Sequence, residues 1–155
     1  MATEELERRI QILEDIESIK KLKAKYCYYA DTGQFDELIA LFAETAKLEL
    51  GPIGAFEGKA VIDGFFRQGM KEDISFSMHT LHNPIIKVKG EQATGEWYFF
   101  LPATHTKTNR AIWMAGKYEE EYVKEAEEWK FSLIKVIFKF RTPYDEGWVK
   151  TPMMP

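Results

Sequence analysis

The spacing of apolar residues changes once along this 155-residue chain, and that change limits what it can fold into. Up to about residue 70, apolar side chains recur every three or four positions; from residue 74 onward they recur every second one. The first stretch reads as helices. Residues 4 to 30 predict a long one, with Leu6, Ile10, Leu13, Ile16, Ile19, Leu22, Tyr26 and Tyr29 forming an amphipathic stripe. Glutamates crowd its first turns and lysines its later part, as the helix dipole favours. "DTG" at 31–33 ends it. A second helix runs from Phe35 to about Ala43, and "TAKLEL" (45–50) reads as a strand before the turn "GPIG". A third helix begins after Gly58 and turns Ile62, Phe65, Phe66 and Met70 inward.

The second stretch reads as four long strands, 74–89, 92–108, 111–124 and 129–141, joined through "KGE", "KTNR" and "KEAEE" as consecutive antiparallel hairpins. Helices followed by a meander of strands indicate an α+β domain, with the helices on one face of a curved sheet. There is no internal repeat or linker. The proline-rich tail "RTPYDEGWVKTPMMP" reads as a covering arm.

Several function classes are excluded at this level. The net charge is −4 and no basic cluster is interleaved with aromatics, so the reading is no nucleic acid partner. No run of about 18 apolar residues occurs, hence no membrane span. Cys27 is the only cysteine, which leaves no intrachain disulfide and no cysteine-built zinc site. With the polar start "MATEELERR", this points to a cytoplasmic setting without a secretory leader.

Two of the three histidines lie in "SMHTLHNPIIKV". Uninterrupted strand alternation puts Met78, Thr80, His82, Ile86 and Val88 on one face and Ser77, His79 and Leu81 on the other. On that reading His82 faces the apolar interior and His79 is solvated. His82 is then either a core histidine satisfied by its neighbours or an acid–base group tuned by its surroundings. Asp31 stands near the C-terminal end of the first helix, where the dipole disfavours a carboxylate, so it is a turn former or a site residue. Tyr26 lies on the buried stripe. The runs "YEEEY" and "KEAEE" read as solvated charges near a hairpin.

The segments "DIESIKKLKAKYCYYADTGQFDELIALFAETAKLEL", "FEGKAVIDGFF", "MHTLHNPII", "ATGEWYF" and "GKYEEEYVKEAEEWKFSLIKV" resemble the SnoaL-like family of the nuclear-transport-factor (cystatin-like) fold, which includes scytalone dehydratase and bile-acid dehydratase. The resemblance covers about residues 15–140. It implies one cone-shaped α+β barrel, with three N-terminal helices packed on a strongly curved antiparallel sheet around an apolar pocket. It also implies a cofactor-free, metal-free lyase or isomerase acting on a ring-bearing hydroxy-ketone or steroid-like molecule. By the same resemblance His82 would be the base, Asp31 its partner and Tyr26 the donor to a developing oxyanion. Glu49, Phe66, Trp97, Phe99 and Leu101 would contact substrate. Glu49 stands near a family tyrosine, and Leu101 where the bile-acid enzyme carries a carboxylate. Relatives of this fold pair through the outer sheet face, so a homodimer or homotrimer is expected. The remaining readings are a non-catalytic binding or assembly module and the small structural subunit of a ring-hydroxylating oxygenase.

Overall fold

The computed structural model describes residues 1–154. Helix α1 spans Ala2–Thr32 and is about 46 Å long at 1.5 Å per residue. Gly33 closes it in the left-handed region at φ 71°, where a residue without Cβ is unstrained. Only the second half of the apolar stripe is used. Ile19, Leu22, Tyr26 and Ala30 are buried, whereas Leu6, Ile10 and Leu13 are 55%, 46% and 66% exposed. The reason is where the body stops. Buried Asp15 accepts the Trp129 indole N–H at 2.9 Å and the Lys124 ammonium at 3.0 Å, pinning the helix to the far end of the sheet. Before that point α1 runs past the domain with nothing to cover it.

Helix α2 (Phe35–Ala40) is shorter than its periodicity suggested, because Phe42 and Ala43 already belong to strand β1 (Phe42–Glu49). Strand β2 (Ala55–Glu57) pairs antiparallel with β1. The third predicted helix is interrupted: α3 (Lys59–Gly64), a π-helical turn over Phe65–Gly69, then α4 (Met70–Asp73). Such a widened turn inserts a residue and re-aims the side chains around it.

The meander is present as β3 (Ile74–Ser77), β4 (Thr80–Lys89), β5 (Gln92–His105), β6 (Arg110–Glu125) and β7 (Glu128–Pro143). The expected strand over 74–89 is thus broken at Met78–His79. Strand order is β2-β1-β7-β6-β5-β3, with β4 following β3 along the same edge of β5. All pairings are antiparallel except β1 on β7, which is parallel. Register shifts at Ala115/Gly116 and Glu121/Tyr122 bend the sheet into a strongly curved half-barrel. Ile19, Leu38, Leu48, Ile62, Ile112 and Ile134 fill the space between helices and sheet with 0–1% exposure. The tail turns through α5 (Gly147–Lys150) and returns along β7, with Arg141 N–H donating to the Pro152 carbonyl at 3.0 Å. Among the described residues, no helix is long and apolar enough to cross a membrane.

Gly116 sits at the bend. A Cβ there would lie 2.1 Å from the Ile137 carbonyl oxygen and 3.0 Å from Phe138 Cα, and backbone cannot step aside as a flexible side chain can. Gly116→Ala is expected to destabilise the protein by about 1–3 kcal/mol, the usual cost of overpacking, measured as a lowered denaturation midpoint with unchanged slope.

Candidate active site

The C-terminal turn of α1 presents Asp31 to the broken strand. Its Oδ1 accepts the Ser77 hydroxyl at 2.8 Å and lies 2.5 Å from His79 Nδ1; its Oδ2 accepts the His79 backbone N–H at 2.8 Å. These donors offset the unfavourable end of the helix dipole. Burial pushes the Asp31 carboxyl up, but hydrogen bonds and charge from His79, with the Ser77 hydroxyl, outweigh it and hold the group below the ordinary carboxylate value. A proton held on Nδ1 by the carboxylate leaves Nε2 as the basic nitrogen of the neutral ring.

His79, rather than His82, is therefore the inward histidine. Ser77 pairs with Ala103, Leu81 with Phe99 and His82 with Tyr98. The buried face of β5 carries Trp97, Phe99, Leu101 and Ala103, so Ser77, His79 and Leu81 share the inner side. Phe76 and Met78, which look like core residues, are 56% and 51% exposed on the outer side, and His82 is exposed with them. The cause is a bulge between His82 and Ile85, where Asn83 has φ 52°. Beyond it the inner side passes to Ile86 and Val88, which pair with Gly95 and Ala93. Alternation counted back from those two residues crosses the bulge and assigns both histidines to the wrong side.

His79 opens onto a cavity of about 80 Å³ between the π turn, the end of α1 and the inner sheet face. Its wall is mostly apolar, with Leu50, Ile53, Phe65, Phe66, Phe99 and Phe138 among the lining residues. Polar groups reach it at a few points: Ser77, His79, Tyr26, Tyr118 and Asp73. Tyr26 meets the His79 ring edge to face at 6.2 Å and 78°. Burial pushes both the Tyr26 and the Tyr118 phenol well above the ordinary value, so both are neutral donors. At the rim the Asp73 carboxylate is held 2.6 Å from Arg141 and 3.6 Å from His105. Burial also pushes the Cys27 thiol up to about 11, which leaves it inert as a nucleophile.

The other expected contacts divide. Phe66, Phe99 and Leu101 line the cavity; Trp97 and Glu49 do not. Trp97 is on the inner face but packs deeper, its indole donating to the Tyr122 hydroxyl at 3.1 Å. Glu49 falls between buried Leu48 and Leu50, and alternation turns it away from the interior. The run "YEEEY" is not a solvated stretch throughout. Glu120 is buried between Tyr118 and Tyr122 and pairs with Lys23 at 2.6 Å, both side chains fully enclosed. Period two across Tyr118, Glu120 and Tyr122 was the available signal. No group of three or more His, Cys, Asp or Glu side chains among the described residues could hold a metal ion.

A SnoaL-like domain model matches residues 11–135. The chain belongs to the SnoaL-like family. Solved structures share the fold. Hexachlorocyclohexane dehydrochlorinase LinA type 2 superposes with a TM-score of 0.80 at 20% identity, over 84% of this chain and 89% of that one. A Novosphingobium aromaticivorans DSM 12444 protein assigned as a scytalone dehydratase gives 0.77 at 22%, over 85% and 89%. A Nostoc punctiforme PCC 73102 protein with a cystatin-like fold gives 0.69 at 21%, over 80% and 90%. Within the SnoaL-like frame, the broken edge strand and the end of α1 are what bring Asp31 and His79 together.

The pairing has a pH signature. Because the Asp31 carboxyl titrates lower folded than unfolded, its contribution is present above the ordinary carboxylate value, about 3.9, and is lost as pH falls through the depressed folded value. Asp15 is held low as well, so the informative quantity is a difference. Melting temperature followed from pH 6 to pH 3 should fall less steeply in Asp31→Asn than in the parent protein.

Proposed function

We propose that this protein is a cofactor-free lyase or isomerase that removes a proton from a carbon atom of a compact ring-bearing substrate. The observation that carries this reading is the Asp31–His79 pair at 2.5 Å, opening onto an apolar cavity. His79 Nε2 takes the proton next to a carbonyl, or vicinal to a leaving hydroxyl or halide. Asp31 keeps the tautomer and stabilises the imidazolium. Tyr26 donates to the oxygen on which charge develops, or to the leaving group. Loss of water or of a comparable leaving group, or double-bond migration, follows from one base and one donor. The dehydrochlorinase and the scytalone dehydratase-like protein sharing the fold make elimination the first reaction class to test.

Substrate size is limited by the cavity. At about 80 Å³ it is far below the roughly 300–1,000 Å³ of sites for drug-sized ligands. A single-ring hydroxy-ketone or halide therefore suits it better than a steroid. A purely binding module would have no use for a histidine whose tautomer is fixed by a carboxylate held by a serine and a backbone amide.

Two experiments bear on this. In a screen of cyclic hydroxy-ketones and halides for loss of water or halide, His79→Asn and Asp31→Asn should each lower kcat/KM by about two to four orders of magnitude. The double variant should be scarcely worse than the poorer single one, and His82→Ala should leave turnover intact. Strictly additive losses, or a collapse only in His82→Ala, would sink the assignment. We also propose a homodimer or homotrimer, supported by exposed Phe76, Met78 and Tyr98 on the outer sheet face. Light scattering at micromolar concentration should give a multiple of the 18.1 kDa chain mass; a monomer mass removes the proposal.

A further inference from the structure

The most heavily buried charges in the molecule lie directly behind the cavity. Lys23, one turn before Tyr26 on α1, and Glu120 on β6 have no exposed side-chain surface, and their charged atoms are 2.6 Å apart. The contact is a close ion pair rather than a directed hydrogen bond. The Glu120 carboxylate is held from its other side by the Tyr122 hydroxyl, and Tyr122 by the Trp97 indole N–H at 3.1 Å. Gly95 makes room for this chain, since a Cβ there would lie 2.6 Å from the Tyr122 hydroxyl oxygen.

The other surroundings of the ammonium are aromatic faces. Lys23 Nζ lies 3.4 Å from the ring centroid of Tyr118 and 4.2 Å from that of Tyr26. Both tyrosines also line the cavity. As a device for stability the pair is a poor choice, because desolvating two charges costs about as much as their attraction returns, and apolar side chains of similar volume often serve better. Its orientation is the informative feature. Glu120 takes the side toward Tyr122 and Trp97, so the positive end of the pair rests on the two rings facing the cavity. A cation on a ring face draws electron density from that ring, and a phenol so depleted donates its proton more strongly.

We propose that Lys23 is a positioning residue of the site: a buried cation that acts through the rings of Tyr118 and Tyr26 to make their hydroxyls stronger donors to a planar oxyanion, an enolate or phenolate, held in the cavity. This rests on the acid–base reading above, and it adds the charge state of the preferred ligand and a role for Tyr118. Burial first, and the Glu120 and Asp31 carboxylates with it, keep the phenols protonated; the lysine, lying on the ring faces, makes those neutral donors effective against a charge that would otherwise be costly to place in an apolar chamber.

The test compares two ring ligands of nearly equal shape, 4-nitrophenolate and nitrobenzene, at a pH where the phenol is ionised. The parent protein should bind the phenolate more tightly. Lys23→Met combined with Glu120→Gln removes both charges together and leaves no buried ion unpaired; circular dichroism confirms its fold. The ratio of phenolate to nitrobenzene affinity should drop about tenfold in that variant, the order expected for a desolvated cation–π contact. Tyr118→Phe should reduce the same ratio, and adding the charge-free pair to it should reduce it much less than in the parent. An unchanged ratio, equal loss of both ligands, or no phenolate preference in the parent protein would each overturn the proposal. Turnover by His79→Asn is read separately. If that variant keeps full activity while the ratio still responds to Lys23, the base assignment fails and the oxyanion site stands.

Discussion

A carboxylate at the C-terminal end of a helix faces the negative end of the peptide dipoles and must find donors elsewhere. Asp31 finds them in one short segment, the Ser77 hydroxyl and the amide and ring of His79. The strand containing that segment has to come apart for this to happen. Met78 and His79 fall between β3 and β4, yet both strands stay in step along β5, so the inner face is kept while the backbone is freed to turn an amide toward the helix. The end of α1, the edge of the sheet and the chamber between them are therefore positioned by one set of hydrogen bonds. The functional reading depends on the same set.

The polar groups around that chamber form three stations. Asp31, Ser77 and His79 occupy one wall, Asp73 with Arg141 the rim, and Lys23 with Glu120 the layer behind the tyrosines. The second and third stations pair opposite charges and the first satisfies its carboxylate with hydrogen-bond donors, so the cavity keeps an apolar lining although polar groups surround it. Electrostatic interactions in such a setting are screened far less than in water, and small differences in where a proton sits have large effects.

Much of this was legible in the sequence. The change of period from three or four to two marks the boundary between helices and meander, and Asp31 stood out because the dipole argument left only two readings for it, a turn former or a site residue. Tyr26 was legible as part of the buried stripe. What was not legible depended on single-residue irregularities. The bulge at Asn83 reverses the faces of everything before it, and nothing in "HNPII" besides the Asn-Pro pair announces the extra residue. The π turn at Phe65–Gly69 reads as ordinary helix. Lys23 falls within the buried stripe of α1, four residues after Ile19 and three before Tyr26, but only the packing of α1 against β6 in space shows that Glu120 meets it there. The apolar stripe misled in the opposite sense: Leu6, Ile10 and Leu13 continue it perfectly well, but the sheet ends before it does.

The parallel pairing of β1 with β7 has a consequence for how the chain reaches this state. Strands β5, β6 and β7 are joined by short turns and can zip together through contacts close in sequence. Leu48 beside Ile134 instead closes a loop of roughly 86 residues, an entropic cost on the order of 4 kcal/mol before any constant term. Asp15 to Trp129 spans 114 positions. Chain entropy thus favours an order in which the meander forms first and the N-terminal third settles onto it afterwards. The wall bearing His79 would then exist, half exposed, before Asp31 arrives to orient it.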